Sequence, residues 1–135
     1  MIQTYLAERL EKIVPFLRWG DSYRTGDDGV GTVYYEGGGS PDEYDVPNRY
    51  PRYMVYLSSS DWGGVEYAAE LVYQELHKAG DVDVTIEFTQ GDVVVATKTV
   101  KVRFIKAAGE PQDLGVQNNI RAYSVNFDVL LTEYE

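Results

Sequence analysis

Strict alternation of apolar and polar residues marks the end of the chain as a β-strand. From Tyr123 to Leu131 the odd-numbered positions are apolar, and most even-numbered positions are polar. A period of two predicts a strand with one buried face and one face toward solvent. Residues 82–89 alternate in the same way, so they are predicted to form a second strand of this kind.

A hairpin is predicted after this second strand, because Gln90-Gly91-Asp92 is a turn sequence. The return strand covers 93–106. Its apolar positions are odd-numbered at the start of the strand and even-numbered later. One extra residue near 96–99 would keep all of them on the same face, so a β-bulge is expected there. The side chains expected to point inward from this hairpin are Val82, Val84, Ile86, Phe88, Val93, Val95, Val100, Val102 and Phe104.

Apolar residues at steps of three and four predict a helix at the start of the chain, over 2–18. Pro15 lacks a backbone donor and clashes with the preceding turn, so the helix is expected to kink or end near Val14.

A second helix is predicted over 61–79, with Ser60 or Asp61 as its N-cap and Gly80 as the left-handed residue that ends it. Its predicted buried stripe consists of Val65, Ala68, Ala69, Val72 and Leu76.

The remaining chain is predicted to contain two short strands and three loops. The strands cover 32–36 and 50–58, and the loops cover 21–31, 37–49 and 107–120, all rich in turn-forming residues. The aspartates of the first loop do not have the spacing of a calcium-binding loop. The elements together predict one α+β domain over 1–135, with one mostly antiparallel β-sheet and two α-helices packed on one face.

Composition narrows the possible functions. The chain of 135 residues carries a net charge of −10, has no cysteine and contains a single histidine, His77. Disulfides, thiolate zinc sites and multi-histidine metal sites within one chain are therefore excluded, and no cofactor is expected. Acidic surfaces repel nucleic-acid phosphates. No apolar run is long enough for a transmembrane helix. No carboxyl pair is placed in an apolar pocket, so an enzyme is not predicted.

Four stretches together resemble a known family. They are YMVYL at 53–57, YAAELVYQELH at 67–77, PQDLG at 111–115 and YSVNFDV at 123–129. Their order is similar to that of the minor capsid or tail-terminator-like proteins of long-tailed bacteriophages. The resemblance covers most of the chain and is densest over 50–80 and 110–131.

This resemblance implies a structural virion protein that forms a ring, usually six-fold, on the tail tube. Such a ring ends tube polymerisation and provides the surface to which the head docks. The implied partners are other copies of the chain, the tail-tube protein and a head-completion or connector protein. DNA would pass through without specific binding. The implied location is the tail–head junction of the virion, after assembly in the host cytoplasm.

The resemblance also suggests which residues would matter. In related rings the sheets face the channel, which would make Asp83, Glu87 and Asp128 channel-lining residues that repel DNA. Tyrosine is abundant, with twelve copies, and it is enriched at interfaces. The residues predicted to contact neighbouring subunits or partners are Tyr44, Tyr50, Tyr56, Leu114, Asn118 and Asn119.

Other functions remain open at this stage. Within the structural class, the chain could be another neck or tail-tube protein. Outside it, a small acidic inhibitor or binding module that mimics the charge of DNA fits the composition. A hydrolase that uses paired carboxylates is the enzymatic alternative.

Overall fold

The computed structural model describes residues 2–22, 26–40 and 47–133. Within these residues the chain forms two helices and eight strands. In chain order they are α1 (Gln3–Ile13), β1 (Arg18–Asp21), β2 (Val30–Gly38), β3 (Asn48–Arg49), β4 (Pro51–Ser59), α2 (Trp62–Leu76), β5 (Gly80–Gln90), β6 (Val93–Ala107), β7 (Gln112–Gln117) and β8 (Ile120–Glu133).

All described strands belong to one curled, mixed sheet. Its order is β1-β2-β4-β8-β6-β5, while β3 and β7 pair with the two ends of β8. The β1–β2 pair is parallel and the other pairs are antiparallel. The predicted α+β class is wrong, because 57% of the described residues are in strands and 21% are in helices, which makes the fold β-rich.

Three strands, β1, β3 and β7, form where the sequence predicted none, and β3 lies in the predicted loop 37–49. Arg18–Asp21 pairs with β2 and forms β1, although it was expected to end a helix and begin a loop. Most of the predicted loop 107–120 is a hairpin, in which β7 pairs with β8. Asn118 and Asn119 form its turn with φ of 53° and 64°, a left-handed conformation that asparagine tolerates better than most residues.

The core lies between the helices and one face of the sheet. The odd-numbered residues of β8 from Tyr123 to Leu131 are all buried, as the alternation predicts. The predicted stripe of α2 is also confirmed, since all five of its residues are buried. The start of α1 is fixed to the centre of the sheet, because the backbone N–H of Ile2 donates to the Tyr53 hydroxyl at 3.2 Å.

The ends of the two helices differ in part from expectation. Helix α1 ends at Ile13, close to the break predicted near Val14, so the span 2–18 was too long. The Asp61 side chain caps α2 by accepting from the Gly64 N–H at 3.0 Å, as predicted. Gly80 does not end this helix. It is the first residue of β5, where a side chain would collide with the backbone carbonyl oxygen of Arg103.

The β5–β6 hairpin contains two irregularities. Val95 is an extra residue opposite the Phe88–Thr89 step, so the predicted bulge exists but precedes 96–99. A second shift against β8 lies between Val102 and Phe104, and it turns Phe104 outward. Phe88 and Phe104, both predicted to point inward, are 40% and 46% exposed.

Candidate interaction surfaces

The far end of the β5–β6 hairpin projects from the rest of the sheet. Among the described residues, strand β6 pairs with β8 only from Val100 onward, whereas its pairing with β5 begins at Val93. Residues 87–97 are all exposed, and we call them the arm. A two-stranded ribbon of this kind has little stability of its own in water. The arm is therefore available for contact with another molecule.

The tip of the arm is apolar. Its exposed apolar side chains, with fractional exposures between 40% and 64%, are Phe88, Val93, Val94 and Val95. Three consecutive exposed valines break the alternation of a solvent-facing strand, and such runs are normally avoided unless they serve a function. The arm carries two carboxylates, Glu87 and Asp92, and no lysine or arginine, so its net charge is −2.

The face of the sheet opposite the core, which we call the outer face, carries an apolar cavity. Its volume is about 320 Å³, and it lies where β4, β8 and β6 run side by side. The side chains that line this Phe104 cavity include Tyr50, Phe104, Val129 and Leu130, together with Arg52, Lys106 and Asp128. The described residues that line it include two cations and one carboxylate, a net charge of +1, in contrast to the acidic chain as a whole.

A second cavity of about 340 Å³ brings together three of the predicted contact residues. Tyr56, Leu114 and Asn118 all line it. Asn119 lies beside it, and its backbone carbonyl accepts from the Trp62 indole N–H at 3.0 Å. Strand β7 is held here because Arg121 donates to Asp113 at 2.7 Å, which lowers the pKa of that carboxyl. These predicted contact residues are neighbours in the fold, and their role in a contact stays a prediction.

The other predicted contact residues are dispersed. Tyr50 lines the Phe104 cavity and a neighbouring cavity of about 280 Å³ beside Arg49. Tyr44 lies outside the described residues.

The three predicted channel-lining carboxylates are not clustered. Arg52 donates to Asp128 at 2.8 Å, so this carboxylate is balanced by a cation. Asp83 is opposite Lys101 in the strand register. Glu87 lies on the arm opposite Thr97. Their placement in a channel stays a prediction.

The charged clusters of the described residues stabilise the fold. The pKa of Glu133 is lowered chiefly because Lys98 donates to its carboxylate at 2.7 Å, with Arg49 adding a second bond at 3.0 Å. The pKa of Asp28 is lowered because the backbone and side chain of Ser60 donate to it. A general acid needs a raised carboxyl pKa, whereas these groups shift in the opposite direction.

No group of three or more metal-binding side chains occurs in the part of the chain that the structure describes. Within the same residues, neither helix combines the length and apolar character needed to cross a membrane.

No protein-family model matches the chain, and no curated protein matches its sequence.

Sequence reasoning missed the most exposed apolar surfaces. Phe88 and Phe104 were assigned to the core, although each lies beside a strand irregularity that changes its surroundings. The run of three valines at 93–95, directly after the turn, was the available signal. These valines are consecutive instead of alternating with polar residues, and no predicted helix directly follows or precedes them in the sequence.

Proposed function

We propose that this chain is a structural virion protein that forms a ring on a phage tail tube, ends tube polymerisation and presents the head-docking surface. Two arguments support it. The first is the resemblance of residues 50–80 and 110–131 to tail-terminator-like proteins. The second is the structural observation on which the proposal depends: the arm projects from the sheet and its apolar tip is exposed. Apolar surface held out in solvent on a narrow ribbon favours a protein contact over a site for chemistry.

The strand order favours contacts that join different surfaces of successive copies. The described sheet ends in β1 on one side and β5 on the other, and these strands differ in length and sequence. A contact between one such edge and another surface is heterologous, and it generates a ring when the rotation between copies closes. The cavity lined by Tyr56, Leu114 and Asn118 and the cavity beside Arg49 would provide separate surfaces for a tail-tube protein and a head-completion or connector protein.

The charge of the chain suits a ring through which DNA passes. Each copy contributes a net charge of −10, so a closed ring accumulates a strongly repulsive field for phosphates. Asp83 and Glu87 are the candidates for the channel wall, because Asp128 is balanced by Arg52. Repulsion would let DNA pass without adhering.

The decisive experiment interrupts the reading frame of the chain in the phage genome that encodes it. We expect lysates to contain filled heads without tails and tails of abnormal length, because nothing ends the tube or joins it to the head. Supplying the intact chain from a plasmid should restore normal particles. Normal, joined tails in the absence of the chain would overturn the proposal.

Electron microscopy with a label on the chain then distinguishes positions within the virion. Label at the junction of tail and head supports the terminator role. Label along the whole tube would identify a tail-tube protein instead, and an unlabelled virion would favour a small acidic binding module. The mass of the purified chain is a weaker test, since a subunit of this kind can stay monomeric until the tube end organises the ring.

A further inference from the structure

We infer that the arm of one copy inserts its apolar tip into the Phe104 cavity of the next copy. This inference rests on the proposed function, because it names the contact that would join successive subunits of the ring. Three independent features of the described residues support it. The arm and the cavity are both apolar, their net charges are opposite, and they lie far apart along one strand.

The two surfaces are complementary in polarity and shape. The tip is a narrow projection with Phe88 and three valines, 40–64% exposed. The Phe104 cavity is concave, with a volume of about 320 Å³, and exposes the faces of Phe104 and Tyr50. Seating the tip would remove both from water, and this burial is favourable in proportion to the apolar area that is covered.

Their charges are also opposite. The arm has a net charge of −2 from Glu87 and Asp92, and the cavity rim has a net charge of +1. Arg52 is already bound to Asp128, which leaves Lys106 as the cation beside the cavity that can meet an incoming carboxylate. Contact between two arms would instead bring four carboxylates together without a cation on either arm, and like charges oppose it.

An arm cannot reach the cavity of its own copy. Both belong to β6, but Val94 is near the start of this strand and Phe104 is near its end. Ten residues of extended chain separate them by about 33 Å, since a strand rises about 3.3 Å per residue. The tip points away from the cavity, so the partner is a second copy, and the contact repeats head to tail.

Cysteine cross-linking tests the contact directly, because the natural chain contains no cysteine. Purified Val94→Cys and Leu130→Cys chains are mixed at high concentration and oxidised mildly. A disulfide forms only when the two Cα atoms approach to about 4.4–6.8 Å. We expect a covalent dimer of one arm variant and one cavity variant, and a ladder of larger species from the chain that carries both substitutions.

The matched control replaces the cavity variant by Val116→Cys, which is on β7 and 48% exposed, similar to the 47% of Val94. This control pair should cross-link at least tenfold more slowly. Equal rates for the two pairs, or equally rapid dimers of Val94→Cys alone, would overturn the inference. Circular dichroism of each variant checks that the chain is folded.

A charge reversal with rescue provides a second measurement. Lys106→Glu in the Leu130→Cys chain should slow cross-linking about tenfold, because like charges then meet. Asp92→Lys together with Glu87→Lys in the Val94→Cys chain should restore it. Absence of both the loss and the rescue would contradict the charge match.

The outcomes separate this inference from the proposed function. Label at the tail–head junction without the cross-link would preserve the ring and place its contact elsewhere. The specific cross-link in a chain whose interruption leaves tails normal would preserve the contact and remove the terminator role.

Discussion

The two ends of the β5–β6 hairpin share one strand pattern but lie in opposite environments. The end of the hairpin at which β6 pairs with β8 is called the root, and there Val84, Ile86 and Val102 are buried in the core. At the arm, Phe88 continues the face of Val84 and Ile86, yet it is 40% exposed. The difference lies in what surrounds each end. The root has β8 beside β6 and the start of α1 nearby. Among the described residues β8 does not pair with the arm, and only Glu87 and Thr89 of the arm share a cavity with the start of α1.

Alternation in the sequence therefore predicts that a strand has an apolar face, but it does not predict whether another segment packs on that face. Burial at the root depends on segments far away in sequence, including Ile2 and the last residues of β8. Where an apolar face extends beyond the segments that pack on it, it becomes a surface for contact with another molecule. The following predictions test how sharply the boundary between root and arm is drawn.

The largest effect is expected at the root. Ile86→Ala should lower the free energy of unfolding by about 2–4 kcal/mol, because it removes buried methyl groups and leaves a cavity. Urea unfolding of the purified chain, followed by circular dichroism, measures the change. Thr85→Ala, on the exposed neighbour, is the matched control and should change stability by less than about 0.5 kcal/mol. A loss below about 1 kcal/mol for Ile86→Ala would show that the root is not covered as described.

The contact between the start of α1 and the sheet is tested by Tyr53→Phe. The Tyr53 hydroxyl accepts a hydrogen bond from the buried backbone N–H of Ile2, and its removal leaves that donor unpaired. We expect a loss of about 1–2 kcal/mol in the same urea assay. Tyr67→Phe, on a residue that is 60% exposed, should have almost no effect. Equal effects of the two substitutions would remove the anchoring role of Tyr53.

The same hydroxyl gives a dependence on alkaline pH. Burial raises the pKa of Tyr53 to about 12 from its ordinary value of 10.0. The neutral phenol is thus favoured in the folded state, so its contribution is complete below pH 10 and is lost as pH rises toward 12. Between these values, the wild-type chain should lose more stability than Tyr53→Phe does. Parallel pH profiles for the two chains would contradict this.

A smaller effect is expected where the arm leaves the sheet. Glu133 accepts from Lys98 on β6 and from Arg49, and its pKa lies below the ordinary 4.5. Its contribution is present above pH 4.5 and is lost as pH falls through the lowered folded-state pKa. Glu133→Gln should cost about 0.5–1 kcal/mol at neutral pH and reduce the acid sensitivity of unfolding. The exposed Glu11→Gln serves as the control, and an identical acid profile for both variants would refute the prediction.

The parts of the fold that were predictable from sequence are those whose burial is periodic. Strand β8 and the stripe of α2 alternate or repeat because one face meets the core along its whole length. Strand β7 is exposed at every residue, so no period marks it, and it is a strand only because β8 offers hydrogen bonds. The β-rich class was missed for this reason.

The candidate surfaces were predictable only in part. Tyr56, Leu114 and Asn118 meet because the turn at 118–119 folds β7 back along one edge of β8, and β4 pairs with the other edge of the same part of β8. The loss of alternation at Val93–Val95 was visible, but its exposure depends on where β8 ends. The outward turn of Phe104 follows from a register shift between strands that are distant in sequence, and no local pattern encodes it.

The smallest effect on stability is expected at the arm, and it completes the comparison. Phe88→Ala removes more apolar surface than Ile86→Ala, two residues away on the same face. It should nevertheless change the free energy of unfolding by less than about 0.5 kcal/mol, because the side chain packs little within one copy. The measurement is the urea assay used for Ile86→Ala, at a concentration where the chain is monomeric. A loss as large as that of Ile86→Ala would show that the tip already packs within its own copy, and the arm would then have no free apolar surface to offer a neighbour.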